Sequence, residues 1–161
     1  MLPSIRQTNL LIFLTCTALM LVAFYLEYVE DMEPCALCMT QRIFIVAVGL
    51  MALFAFLHNP AQRGRRIYAI LGIVLAIAGG YFSSRQLWLQ SLPEDQVPAC
   101  GPNLYYMLDV FPFKDTLKSM LVGDGNCAEI DRFLGVTIPL WTLLAFIGFA
   151  LVSFYQSLRR Q

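Results

Sequence analysis

Residues 34–57 read PCALCMTQRIFIVAVGLMALFAFL, and positions 43–57 of that stretch carry no charge. Extended back to about residue 39, with Arg42 near its edge, the run approaches the roughly 20 apolar residues that a helix needs to cross a bilayer core. Three further uncharged windows accompany it, at about 7–26, 67–84 and 136–155. Backbone groups in lipid must be satisfied internally, and these windows are too long for the roughly ten-residue strands of a membrane barrel. The expected fold is therefore an all-α membrane protein, a four-transmembrane-helix bundle making one integral membrane domain over residues 1–161. The composition agrees: 58% of the 161 residues are hydrophobic and 14% are charged, far from a soluble domain. Eleven basic and eleven acidic residues cancel, so no net basic field draws nucleic acid, and no nucleic-acid partner is expected. Gly72, Ala76 and Gly80 form a small-residue ridge for close helix packing, and Pro139 falls in the first turn of the last window. The first window reads as an uncleaved span, because no small-residue cleavage site follows it.

Four spans place residues near Arg6, the 58–66 link with Arg63, Arg65 and Arg66, and the tail with Arg159 and Arg160 on one side. These segments hold six basic residues and no acidic one, which marks that side, with both termini, as cytoplasmic. Two outer loops, at about 27–38 and 86–135, carry all eleven carboxylates. They also carry Cys35, Cys38, Cys100 and Cys127, on the side where disulfides form and persist, while Cys16 lies inside the first span.

Pro34-Cys35-Ala36-Leu37-Cys38 sits where the first outer loop enters the second helix. A bridge across two intervening residues restrains little chain, so such a pair is a poor staple and a good redox couple. The positive end of the helix favours thiolate there. On a helix starting near Cys35, residues Cys35, Cys38 and Arg42 share one face, so a permanent cation lies below the dithiol. Arg42 then either snorkels toward water or holds an anionic or carbonyl-bearing redox partner. Zinc would want a second close pair or histidines, but Cys100 and Cys127 are far apart in sequence and His58 falls on the other side, so no metal site is expected. The turn-rich surroundings of Cys100 and Cys127 fit an accessible disulfide, and a structural staple across 101–126 fits them too. Between them Phe113, Leu117, Met120 and Leu121 recur with helical period, giving the second outer loop a short amphipathic helix. It either lies on the membrane surface or packs on the bundle.

Taken together, the chain resembles the disulfide bond formation protein B (DsbB) family of bacterial inner-membrane thiol:quinone oxidoreductases. The resemblance rests on Pro34-Cys35-x-x-Cys38 with Arg42, on Cys100, on Gly125-x-Cys127-Ala128-Glu129, on Phe133-Leu134-Gly135 and on Pro139-x-Trp141. It implies a multi-pass inner-membrane protein with periplasmic redox loops and four catalytic cysteines. In that scheme Cys100–Cys127 accepts electrons from a DsbA-like periplasmic thiol oxidase of thioredoxin-like type. Cys127 passes them to the Cys35–Cys38 pair, and a membrane quinone, ubiquinone or menaquinone, takes them beside Cys38 and Arg42. The DsbA–DsbB–quinone system is the established example of such a kinetically maintained oxidising compartment. Two positions depart from relatives: Ser83-Ser84-Arg85-Gln86 stands where some have a histidine, leaving Arg85 or Gln86 as weak quinone contacts, and Gln41 stands where an acid can precede the arginine. Alternative readings are a substrate-dedicated paralogue and a non-catalytic four-helix adaptor with disulfide-rigidified loops.

Overall fold

The computed structural model describes residues 4–102, 104–133 and 135–159, so Arg160 of the expected basic side and Leu134 of the Phe133-Leu134-Gly135 motif lie outside the described residues. Four helices are long and apolar enough to span a membrane: α1 (Ile5–Tyr28), α2 (Ala36–His58), α3 (Gln62–Gln90) and α6 (Ile138–Leu158). The four-span bundle expected from the hydropathy windows is thus the fold. Each helix runs past its uncharged window. Helix ends need capping rather than apolarity, and apart from Thr137 at the start of α6 the caps lie outside the windows. Ser4 and Gln7 close a capping box at the start of α1, and Asn59 takes a left-handed conformation (φ 40°) to end α2. The largest extension is in α3, whose 29 residues span about 44 Å at 1.5 Å per residue, more than a hydrocarbon core of about 30 Å. Its polar ends therefore project on both sides, and residues 86–90, expected in the outer loop, are helical.

Helix α2 packs between α1 and α3, and α6 packs along α3. The core at the centre joins Ile12 and Cys16 of α1, Ile45, Val48 and Ala52 of α2, Ala76 of α3, and Phe146 and Phe149 of α6. Side chains such as Leu14, Leu21, Phe54, Ile77 and Leu151 face outward, as lipid-exposed positions do. The small-residue ridge needs a correction. Gly72 meets Ser153 and Ala76 is buried, but the next close approach is at Gly79, where an added Cβ would lie 2.3 Å from the Phe146 ring. A Cβ on Gly80 would meet nothing closer than 3.7 Å. The contacting seam drifts because the helical repeat of 3.6 is not 4.

Arg6, Asn59, Pro60, Arg65, Tyr68 and Gln156 gather at one end of the bundle. The other end carries residues 29–35 and 91–137. The second connection is more structured than one short helix: it contains α4 (Leu104–Val110), α5 (Phe113–Val122) and an antiparallel pair, β1 (Arg132–Phe133) with β2 (Val136–Thr137). The hairpin takes Val136 and Thr137 out of the fourth window, and Pro139 follows in the first turn of α6. Helix α5 occupies the expected amphipathic stretch, but the seam it turns to the bundle is offset from the expected stripe. Thr116 is buried (1% exposed) and the Met120 carbonyl accepts the Thr40 hydroxyl at 2.8 Å, whereas Phe113 (73% exposed), Leu117 and Leu121 face outward. The helix docks on α2 by one edge, with Met120 of the expected stripe packed at the head of α2 and Phe113, Leu117 and Leu121 left exposed.

Gly79→Ala is expected to destabilise the detergent-solubilised protein by about 1–3 kcal/mol, because the buried Phe146 ring has no space to move into. Gly80→Ala should leave the melting temperature close to that of the parent. Thermal unfolding of the two variants side by side checks the register of the α3–α6 seam.

Candidate functional site

The outer end of α2 is built around sulfur. Pro34 cannot continue a helix backward, and Cys35 takes the N-cap position with extended backbone, its Sγ accepting the Cys38 amide N–H at 3.3 Å. Capping by residue 35 brings the two side chains together, and Cys35 Sγ donates to Cys38 Sγ at 2.9 Å. All five cysteines are thiols in this structure. Gln86 of α3 reaches both sulfurs, with Nε2 at 3.2 Å from Cys38 Sγ and 3.4 Å from Cys35 Sγ. Its Oε1 accepts Gln41 Nε2 at 2.7 Å, and Gln41 Oε1 accepts the Thr142 hydroxyl at 2.6 Å. One chain of dipoles thus links α2, α3 and α6 and terminates on the dithiol. Gln41 and Gln86, singled out separately in the sequence, are thus partners of one another.

The second loop closes over this turn. Cys127 is fully buried against Ala36, Leu37 and Leu104, and it is hydrogen-bonded to Cys35. Cys100 is exposed. Their two segments lie side by side: the Gly125 amide donates to the Ala99 carbonyl at 3.2 Å and Asn126 Nδ2 to the Gly101 carbonyl at 2.9 Å. Gly125 is needed for that approach, since a Cβ there would lie 2.4 Å from the Pro98 carbonyl oxygen and 3.0 Å from Cys100 Sγ. Cysteines 27 positions apart in the sequence are therefore neighbours in the fold, with one open to solvent and one against the α2 pair.

The expectation that the helix end favours thiolate at the pair does not hold for Cys35. The Cys35 thiol is pushed above the ordinary cysteine range, first by its hydrogen bond with Cys127, then by that with Cys38, then by burial. Three sulfurs packed together cannot all carry charge, and a neighbour's thiolate keeps the proton on Cys35.

Below the sulfurs, in the gap between α1, α2 and α6, lies a cavity of about 500 Å³. Its walls are apolar, among them Leu19, Ile45, Trp141 and Ala145, and Cys38, Gln41 and Arg42 supply polar groups on the α2 side. Arg42 does not simply snorkel: it pairs with Glu27 and donates Nη2 to the Ala23 carbonyl at 3.2 Å, near the C-terminal end of α1. Carbonyls and a carboxylate at a helix C-terminus suit a cation. Aliphatic and indole walls with a guanidinium at one side are chemistry suited to a planar apolar ring bearing carbonyl oxygens. Neither weak candidate reaches it. Arg85 stacks on Trp88 at 4.4 Å and donates to the Val122 carbonyl, while Gln86 lines a second, polar cavity of about 300 Å³ above the cysteines.

The sequence matches the family described as Disulfide bond formation protein DsbB over residues 5–156. The chain belongs to the DsbB family. It is 52% identical over 160 residues to the disulfide bond formation protein B of Saccharophagus degradans, covering 99% of this chain and 96% of that one. It is 55% identical over 156 residues to the protein of the same name in Hahella chejuensis, covering 96% and 94%. Against disulfide bond formation protein B 1 of Pseudomonas aeruginosa it is 46% identical over 160 residues, covering 99% and 98%. This DsbB-family membrane protein thus has the four cysteines and Arg42 of the sequence reading at one end of its bundle. Glu27, Thr142 and Tyr105 were not anticipated. Glu27 had a signal, an acid at the edge of an apolar window, but its pairing with Arg42 across 15 positions had none.

With the protein fully reduced, Cys100 should alkylate first, and Cys35 more than about tenfold more slowly at neutral pH, since each unit of raised pKa removes about nine-tenths of the thiolate. A raised pKa means that Cys35 modification keeps accelerating as pH rises beyond about 8.5, where an ordinary thiol levels off. Timed alkylation with peptide mass spectrometry, repeated across pH, reads both.

Proposed function

We propose that this DsbB-family protein is a thiol:quinone oxidoreductase of the inner membrane that makes disulfides for a periplasmic, thioredoxin-like dithiol donor of the DsbA type. The observation that carries the reading is the position of Cys38. It borders the apolar cavity beside Arg42 on one side and the polar cavity beneath the Cys100 loop on the other. The arginine-rich end faces the cytoplasm by the basic bias of its short segments, which puts the cysteine loops in the periplasm.

In this mechanism the donor's thiolate attacks the Cys100–Cys127 disulfide at the exposed Cys100 sulfur, and Cys127 leaves as thiolate. The donor's second thiol resolves the mixed disulfide, so the donor becomes a disulfide and Cys100 and Cys127 become thiols. Cys127, held against Cys35, attacks Cys35 of the Cys35–Cys38 disulfide and expels Cys38 as thiolate. The N–H of Gln86 and the nearby guanidinium of Arg42 are suited to that leaving charge. Cys100 then attacks the Cys127 sulfur, restoring the loop disulfide and releasing Cys35 as the thiol that its surroundings favour. A membrane quinone, ubiquinone or menaquinone, would when bound accept the two electrons released as the Cys38 thiolate and the Cys35 thiol re-form their bond, with one proton from the Cys35 thiol and a second from water. Arg42 orients the acceptor's carbonyl, and the walls of the cavity keep water from the exchange.

Cys38→Ala should abolish quinone reduction by a reduced donor while a mixed disulfide with the donor still forms at Cys100. Arg42→Gln should raise the apparent quinone KM about tenfold or more, the loss of one charge-assisted contact, with thiol exchange between the loops preserved. Full turnover by Cys38→Ala would overturn the proposal, as would a purified protein that neither binds nor reduces any quinone.

A further inference from the structure

Arg42 is held from outside the cavity it borders. Its ion-pair partner Glu27, in the last turn of α1, is 8% exposed and Arg42 itself 15% exposed, so the pair is largely withdrawn from water. The carboxylate is shared between two elements. Oε2 takes the Arg42 guanidinium, and Oε1 accepts the Tyr105 hydroxyl at 2.7 Å. Tyr105 lies in α4, five positions after Cys100, and its neighbour Leu104 is packed with Cys127 and Leu37. The same hydrogen bond pushes the Tyr105 phenol above its ordinary range, as expected for a donor held by a carboxylate.

Breaking one arm of such a bridge has consequences at the other. A guanidinium that loses its carboxylate in a poorly solvated site is left uncompensated and turns toward water. It then leaves the wall beside Cys38. A Cys100 segment drawn outward by a docked donor pulls on Tyr105, and through it on the carboxylate that orients Arg42. Resting on the reading of the apolar cavity as a quinone site, we propose that Glu27 is a positioning residue. It holds Arg42 for the quinone headgroup and, through Tyr105, makes quinone binding respond to the position of the Cys100 loop.

The test compares Glu27→Gln, Tyr105→Phe, the double variant and Arg42→Gln in full-length protein in detergent. Equilibrium binding of a short-tailed benzoquinone to protein with both cysteine pairs oxidised is followed by quenching of Trp141, in a Trp88→Phe background. Quinone KM and kcat in turnover are measured alongside. Glu27→Gln should weaken binding about tenfold with kcat at saturating quinone within about twofold, the signature of lost orientation rather than lost chemistry. Tyr105→Phe, although it does not border the cavity, should weaken binding about threefold, and the double variant should bind no more weakly than Glu27→Gln alone, because the two residues act in series. Unchanged binding in Glu27→Gln, or additive losses in the double variant, overturns the inference. The Arg42→Gln arm separates the two levels. Weaker binding there with none in Glu27→Gln removes the positioning role only, and unchanged binding in both removes the quinone site itself. Retention of slow Cys35 alkylation in each variant verifies that the fold is intact.

Discussion

The amide N–H of Cys38 points at the sulfur of Cys35 across 3.3 Å, so the first turn of α2 is capped by a redox-capable atom instead of the usual hydroxyl or carboxylate. A cap must lie one position outside the helix and fold back over it, which places Cys35 and Cys38 side by side without help from the rest of the chain. The same geometry puts the pair where the helix leaves the hydrocarbon, within reach of loop residues above and membrane-embedded residues below. Every other element of the site takes its position from this turn. Cys127 packs on Cys35, Gln86 approaches both sulfurs, and Arg42 sits one turn further in, on the cavity side.

Holding a cation at that depth is the main electrostatic cost of the design. An isolated charge in a low-dielectric setting is unfavourable by several kcal/mol, and pairing offsets this only when hydrogen bonds satisfy the remaining donors. Arg42 meets those terms with Glu27 and the Ala23 carbonyl, and the Phe24 ring lies 5.9 Å from its guanidinium carbon. The neighbouring polar chain works on another principle. Gln41, Gln86 and Thr142 are neutral, mutually satisfied and buried or partly buried, and they turn dipoles toward the sulfurs without adding a titrating group. The site therefore combines one compensated ion pair with one non-ionising relay.

The architecture was legible in the sequence because lipid imposes a single rule, long uncharged windows, and all four appear. The α2 site was legible for a similar reason: Cys35, Cys38 and Arg42 lie within eight consecutive residues, where helical geometry alone decides their mutual position. Contacts between distant segments were not. Nothing in the spacing of Gln41 and Gln86, 45 positions apart, says that they pair. The seam at Gly79 rather than Gly80, and the edge of α5 that meets α2, depend on helix rotation, which a pattern of small or apolar residues fixes only to within one position. The α4 helix and the β1–β2 hairpin are too short to give a periodic signal.

The two cavities put the parts to work together. A polar space of about 300 Å³ and an apolar one of about 500 Å³ share Glu33, Pro34, Cys38 and Asp131 as common wall. Cys35 borders only the polar space, and Arg42 only the apolar one. Water-borne thiol exchange and a lipid-soluble electron acceptor need opposite surroundings, since exchange requires thiolates and proton transfer whereas a quinone ring partitions into hydrocarbon. Cys38, with Cys35 Sγ 2.9 Å from its own, borders both spaces and so joins the two surroundings. The long second loop supplies both Cys100, which is open to solvent, and Cys127, which packs on the head of α2. The proposed exchange, with the donor at Cys100 and Cys127 meeting Cys35, matches these surroundings: Cys100 is exposed and Cys127 is buried among the residues at the head of α2.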